Sequence, residues 1–270
     1  MFQAEITENA GELDRTRVHV EAALTRFRQV GDRWGRAATL PMRARYRRYD
    51  DLDGAFADLR EAGRLAGEFG SLSLGDRLHG DLRRIDLHLR RGDVDEALAL
   101  IDSARERAVH ATSPELPTLI DTCEADLRTR LGDLDRATGL LGDAPFLSDH
   151  ARTSVANARA ALRLAQGDPA GAENVLREAC AAALATGELP VLSLVAVNAA
   201  ALAEARGRRH ESAVLLGAAA RLRGAHDHTD PRVRELTRRG RAALGDEEFG
   251  AAYTRGWEMD GETAAATVVP

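Results

Sequence analysis

The sequence predicts an all-α fold, built of helical hairpins stacked in a right-handed solenoid and closed by a C-terminal capping helix pair. Three observations carry this expectation. A turn followed by a small residue, G-D-x-x-x-A, recurs along the chain. Alanine fills 50 of the 270 positions while aromatics make up only 4%, a composition that suits helices and argues against a β-sandwich. Between the turns, apolar residues return at helical spacing.

The clear copies of the turn are Gly92-Asp93-Val94-Asp95-Glu96-Ala97, Gly132-Asp133-Leu134-Asp135-Arg136-Ala137 and Gly167-Asp168-Pro169-Ala170-Gly171-Ala172. Weaker copies run from Gly11 to Thr16, from Asp50 to Ala55, and from Gly207 to Ser212. The small residues therefore fall at positions 16, 55, 97, 137, 172 and 212, a period of about 40 that marks an array. Physically the motif reads as a helix hairpin. Gly closes one helix in the left-handed region, Asp caps the next by accepting from its free N–H groups, and the small residue lets the two helices approach closely.

Taken in order, the first helices of each pair are expected near 33–48, 76–91, 115–131, 149–166 and 190–206, about 13 helices in all. The first hairpin is expected to be incomplete, with only a short stub before Gly11, as in a piece of a longer protein. Pro41 should kink or break its helix. Buried stripes are expected at Leu78, Leu82, Ile85 and Leu89, and at Val155, Ala158, Leu162 and Ala165. The repeat array would occupy residues 1–225 and capping helices residues 226–270. In that tail Asp230 and Pro231 should start one helix, Gly245 end it, and Asp246, Glu247 and Glu248 start another. The second carries Phe249, Tyr253 and Trp257 four residues apart, a stripe expected to plug the last repeat.

Composition also removes functions. All 37 basic residues are Arg, so mechanisms built on a lysine (phosphate-loop hydrolysis, a pyridoxal Schiff base, a kinase ATP lysine) have no residue to run on. A net charge of -6 leaves no basic excess for a nucleic-acid backbone. The first ten residues do not read as a secretory signal, and the apolar run Val191 to Ala203 is shorter than a membrane span. A cytoplasmic location, with no direct membrane or nucleic-acid partner, is the expectation. Cys123 and Cys180 lie far apart and outside any C-x-x-C, and read as buried free thiols.

Catalytic motifs are near misses. His210-Glu211-Ser212-Ala213-Val214 lacks the second His of H-E-x-x-H, Gly70-Ser71-Leu72-Ser73-Leu74-Gly75 is not G-x-S-x-G, and no G-x-G-x-x-G occurs. His226-Asp227-His228 offers two imidazoles with no third ligand nearby in sequence. No catalytic residue, metal or cofactor is expected. A helical solenoid binds on its concave face, and counting back from the turns the polar residues that could point there are Arg47, His79, Asp86, Asp126, Asn157 and Asn198. Asp86 and Asp126 equally suit helix-surface pairs with Arg90 and Arg130. Asn157 and Asn198, poor residues for a mid-helix position, suit either a groove site or an amide bridge between neighbouring helices.

The hairpin layout resembles tetratricopeptide repeats stretched beyond their usual length. Phe27-Arg28-Gln29-Val30-Gly31-Asp32-Arg33-Trp34, Arg91-Gly92-Asp93 and Leu215-Leu216-Gly217-Ala218-Ala219-Ala220 look like segments of the C-terminal repeat region of actinobacterial SARP/AfsR-type and LuxR-type regulators, ATPases of the STAND class. Leu222-Arg223-Gly224-Ala225, Asp230-Pro231, Arg241 to Phe249, Ala251-Ala252-Tyr253 and Arg255-Gly256 match the way such regulators end. The resemblance spans most of the chain. It implies a sensor and regulatory module that follows DNA-binding and ATPase modules and binds a protein or peptide partner, a small-molecule effector or those modules themselves. A stand-alone adaptor docking a peptide or helix in its groove is the other reading.

Overall fold

The computed structural model describes residues 2–69, 73–142 and 147–269, which leaves Gly70, Ser71 and Leu72 of the G-x-S-x-G near miss outside the described residues. Among those described, every regular element is a helix, fifteen in all. They are α1 (Phe2–Asn9), α2 (Leu13–Gln29), α3 (Arg33–Arg47), α4 (Leu52–Phe69), α5 (Leu74–Arg91), α6 (Val94–Ala108), α7 (Glu115–Leu131), α8 (Leu134–Leu140), α9 (Asp149–Ala165), α10 (Pro169–Thr186), α11 (Leu189–Ala205), α12 (Arg209–Arg223), α13 (Pro231–Leu244), α14 (Asp246–Trp257) and α15 (Gly261–Val268). Two more helices form than the turn count predicts. No helix among the described residues is long and apolar enough to cross a membrane.

The chain divides into two compact units, one of Met1–Glu8 with Glu12–Cys123 and one of Asn9–Gly11 with Glu124–Pro270. Within the first, α3 packs on α4 and α5 on α6; within the second, α9 packs on α10 and α11 on α12. These are the expected hairpins, and their first helices start within two residues of the positions read from the turns. The mechanism of close approach also holds. Thr16, Ala55, Ala97, Ala137, Ala172 and Ser212 are all buried, the four alanines completely. Gly92 and Gly132 adopt φ 89° and 80°, the left-handed conformation that stops a helix without a Cβ penalty.

Asp does not cap every hairpin. The Asp168 carboxylate accepts from the Gly171 N–H at 2.8 Å, as Asp32 does from Gly35 and Asp51 from Gly54. At Asp93 and Asp133 there is no such bond. Asp93 turns instead to His88 Nδ1 at 3.2 Å, and Asp133 to Arg128 at 3.6 Å. The three capping aspartates share a glycine three positions on, where an added Cβ would fall 2.0–2.8 Å from the carboxylate. At Asp93 and Asp133 that position holds Glu96 and Arg136. Competing side-chain partners and the lost space together pull these carboxylates off the helix end.

Other expectations need correction. α3 runs through Pro41 without a break; only the hydrogen bond from position 41 to the Ala37 carbonyl is forfeited. Leu78, Ile85, Val155, Ala158 and Leu162 are buried as expected, but Leu82 and Leu89 are half-buried and Ala165, the last residue of α9, is exposed. Cys180 is buried, and desolvation pushes its thiol up to about 11. Cys123 is only half-buried, and neither cysteine is in a disulfide. The short spacing between Ala137 and Ala172 reflects α8, which stops at Leu140.

The second unit has the larger core, centred on α11. Its buried residues, from Leu192 to Ala203, cover all sides of the helix, which α9, α10, α12, α13 and α15 surround. The tail is three helices rather than a pair. Asp230 caps α13 by accepting from Arg232 and Val233 N–H, and Asp260 caps the unexpected α15 through Thr263 N–H. Phe249 and Ala252 of α14 enter the core, with Tyr253 packed beside them. α14 crosses α12 at two glycines: a Cβ on Gly217 would lie 2.0 Å from the Tyr253 carbonyl oxygen, and one on Gly256 2.0 Å from that of Val214.

Two outcomes are expected from urea or thermal unfolding. Asp168→Ala removes a working cap and should cost about 1 kcal/mol, whereas Asp133→Ala should cost a small fraction of that; equal losses would show that the caps do not differ. Gly256→Ala forces backbone from backbone and should cost about 1–3 kcal/mol or more. An unchanged melting temperature would contradict the close crossing.

Candidate functional site

Three of the six polar candidates meet in the second unit. Asp126, Asn157 and Asn198 stand on α7, α9 and α11, the first helices of successive hairpins. Asn198 sits in the middle of the largely buried α11 and is itself 1% exposed, so its amide must find partners inside the protein. Its Nδ2 donates to the Asn157 side-chain oxygen at 2.7 Å and to the Asn157 carbonyl at 2.9 Å. The amide bridge between neighbouring helices is thus formed.

The other end of the Asn198 amide meets a residue that sequence reasoning missed. Arg232, in the first turn of α13, donates from Nη1 to Asn198 Oδ1 at 2.5 Å and from Nη2 to Asp126 Oδ1 at 3.2 Å. Arg130 approaches the second Asp126 oxygen at 2.5 Å, so the helix-surface pair also exists. Burial works to raise the Asp126 pKa, but Arg130 and Arg232 overcome it and hold the carboxyl below its ordinary value. One guanidinium from outside the hairpins therefore satisfies groups presented by two of their first helices, one of which is tied to a third. No local pattern announces it, because Arg232 lies 106 positions from Asp126.

The remaining candidates belong to the first unit, and each has partners of its own. Arg47, the last residue of α3, reaches Asp58 Oδ2 at 3.3 Å. Asp58 is buried and held more tightly by Arg43, whose Nε and Nη2 donate to its two oxygens at 2.9 and 2.6 Å. Both arginines fasten α3 to α4. Asp86 accepts from Arg90 Nε at 2.9 Å and from Arg48 Nη1 at 3.2 Å, which ties α5 to α3. His79 is exposed, with Nδ1 2.9 Å from the Gly75 carbonyl one turn back.

His226 Nδ1 lies 2.8 Å from the Tyr253 hydroxyl and its ring 4.3 Å from that of Trp257. Desolvation, then His228 and Arg223, hold the His226 pKa below its ordinary value. Among the described residues no group of three or more His, Cys, Asp or Glu side chains is placed to hold a metal ion.

Asn198→Leu should destabilise the chain by about 1–3 kcal/mol, because it leaves the Arg232 guanidinium and the Asn157 oxygen short of a partner. The part of the stability that comes from pairing Asp126 is present above about pH 4 and fades as pH falls through the lowered folded-state value. Asp126→Asn should remove that part of the acid dependence in denaturant titrations between pH 3 and 6; an identical pH profile would show that the pairing carries no stability. No protein-family model and no curated protein matches this chain.

Proposed function

We propose that these hairpins are tetratricopeptide-like repeats stacked as a right-handed solenoid, and that the chain is a regulatory protein-interaction module of a multidomain transcriptional regulator, without catalysis of its own. One observation carries the reading: the row Asn157, Asn198, Arg232, Asp126. Successive first helices present polar groups in register, and a guanidinium carried on another helix, α13, ties them together. Recognition of a helix or peptide by a repeat surface needs the same arrangement, with main apolar contact and a few placed polar groups. Here the chain's own α13 is the occupant, so the same face is suited to the regulator's ATPase and DNA-binding modules or to a protein partner that competes for it. The resemblance of the tail and repeat segments to SARP/AfsR-type and LuxR-type regulators supplies the regulatory context.

The reading frame that encodes these residues should then carry a lysine-bearing phosphate loop. In the protein it encodes, Arg232→Ala should loosen α13 and change nucleotide hydrolysis or promoter activity at least severalfold. A frame with no nucleotide-binding loop, or both activities unmoved, would overturn the proposal.

A further inference from the structure

The first unit holds a cleft of about 730 Å³ between α3, α4, α5 and the end of α6. Its volume is in the range of small-molecule sites, roughly 300–1,000 Å³. Five arginines line it against two aspartates, in a chain whose net charge is -6. The acids are committed elsewhere. Asp81, buried, takes Arg107 Nη2 at 2.7 Å and Arg84 Nη1 at 3.5 Å, and Asp76 completes the capping box with Ser73 at the start of α5. Arg60 on α4 and Arg77 and Arg83 on α5 have no hydrogen bond or ion pair on their guanidinium groups among the described residues.

Three guanidinium groups around one cleft, none of them in an ion pair or hydrogen bond among the described residues, offer many N–H donors. The arrangement lowers its energy when an anion enters. Outside the cleft, Arg83 also lies near other charges: desolvation, then Arg45 and Arg48, hold its pKa below the ordinary arginine value against the opposite pull of Glu8. The rest of the wall is apolar or bare, with Pro41, Leu59 and Ala66 beside Gly63, Gly67 and Gly80. A Cβ on any of these three glycines would meet nothing within 4 Å, so packing does not require them to be small. Each weakens its helix by about 0.5–1 kcal/mol relative to Ala, and each leaves open space in the cleft.

We propose that this cleft is a binding site for a small molecule with at least two negative charges on a partly apolar body, its anionic group held by Arg60, Arg77 and Arg83 and its apolar part lying over the glycines of α4 and α5. The site rests on the first unit alone and stands whether or not the row around Arg232 has the role given above. A phosphate monoester and a dicarboxylate share the required chemistry.

Phenyl phosphate and phthalate serve as probes in calorimetric titrations of the 270-residue chain at fixed ionic strength, with inorganic phosphate alongside. At least one aromatic dianion should bind saturably with one-to-one stoichiometry, and more tightly than inorganic phosphate. Preference for phenyl phosphate or for phthalate separates the two ligand classes. Arg77→Ala and Arg83→Ala should each weaken binding by roughly tenfold, and Arg177→Ala, on an exposed arginine of α10, should leave it unchanged. Gly63→Leu guards against loss of fold: it adds a helix former where there is room, so melting should hold or rise while binding disappears. No saturable binding by about 10 mM of either probe, or unchanged binding in Gly63→Leu, would overturn the site.

Discussion

Each hairpin depends on a contact of very small volume. The side chains at 16, 55, 97, 137, 172 and 212 are no larger than threonine, and all are buried. A helix pair separated by a methyl or hydroxyl brings many backbone and side-chain atoms into dispersion range, so the benefit of the small residue is spread over the whole interface. It also explains why a chain with 4% aromatics can hold a dense interior. Alanine stands in for bulk when the helices themselves come close, and the period of about 40 is the period of that requirement.

The polar interactions divide by unit. In the first, arginines at the C-terminal end of α3 fasten it to neighbouring helices through Asp58 and Asp86, and of the five arginines facing the cleft only Arg84 and Arg107 pair with an acid, Asp81, among the described residues. In the second, the buried polar groups include Asn198, whose two ends are both satisfied. A buried amide of this kind adds little net stability but excludes arrangements in which it would go unpaired. Because its partners stand on α9 and α13, Asn198 selects where both helices lie relative to α11. The absence of lysine fits this use of cations: a planar guanidinium can serve Asn198 and Asp126 at once, as Arg232 does, where an ammonium offers no such fork.

Sequence pattern was most informative where one residue's chemistry decides the backbone. Gly92, Gly132 and Gly167 mark helix ends because few other residues adopt their conformation, and the helix starts follow from them. Capping was legible only in part, since the difference between Asp168 and Asp133 lies three positions downstream, in Gly171 against Arg136. α15 was missed although Asp260 and Thr263 form an ordinary capping pair, because its eight residues give too short an apolar period to stand out. Of the candidate groove residues, Asp126, Asn157 and Asn198 could be placed on first helices by counting, but their common partner could not. Arg232 and the arginines of the cleft come together only through tertiary packing, and no spacing in the sequence encodes that.

The crossing of α12 and α14 acts as a register pin. Most helix contacts pass through side chains that can change rotamer, so one helix can creep along another at modest cost. At Gly217 and Gly256 carbonyl oxygens occupy the space where a Cβ would stand, and nothing there can rotate away. A slide of one turn, about 5.4 Å, would bring Ala252 to the place of Gly256 and drive its methyl group into the Val214 carbonyl. The tail therefore has one seated position on α12, and any motion that frees it must lift α14 off rather than shift it along.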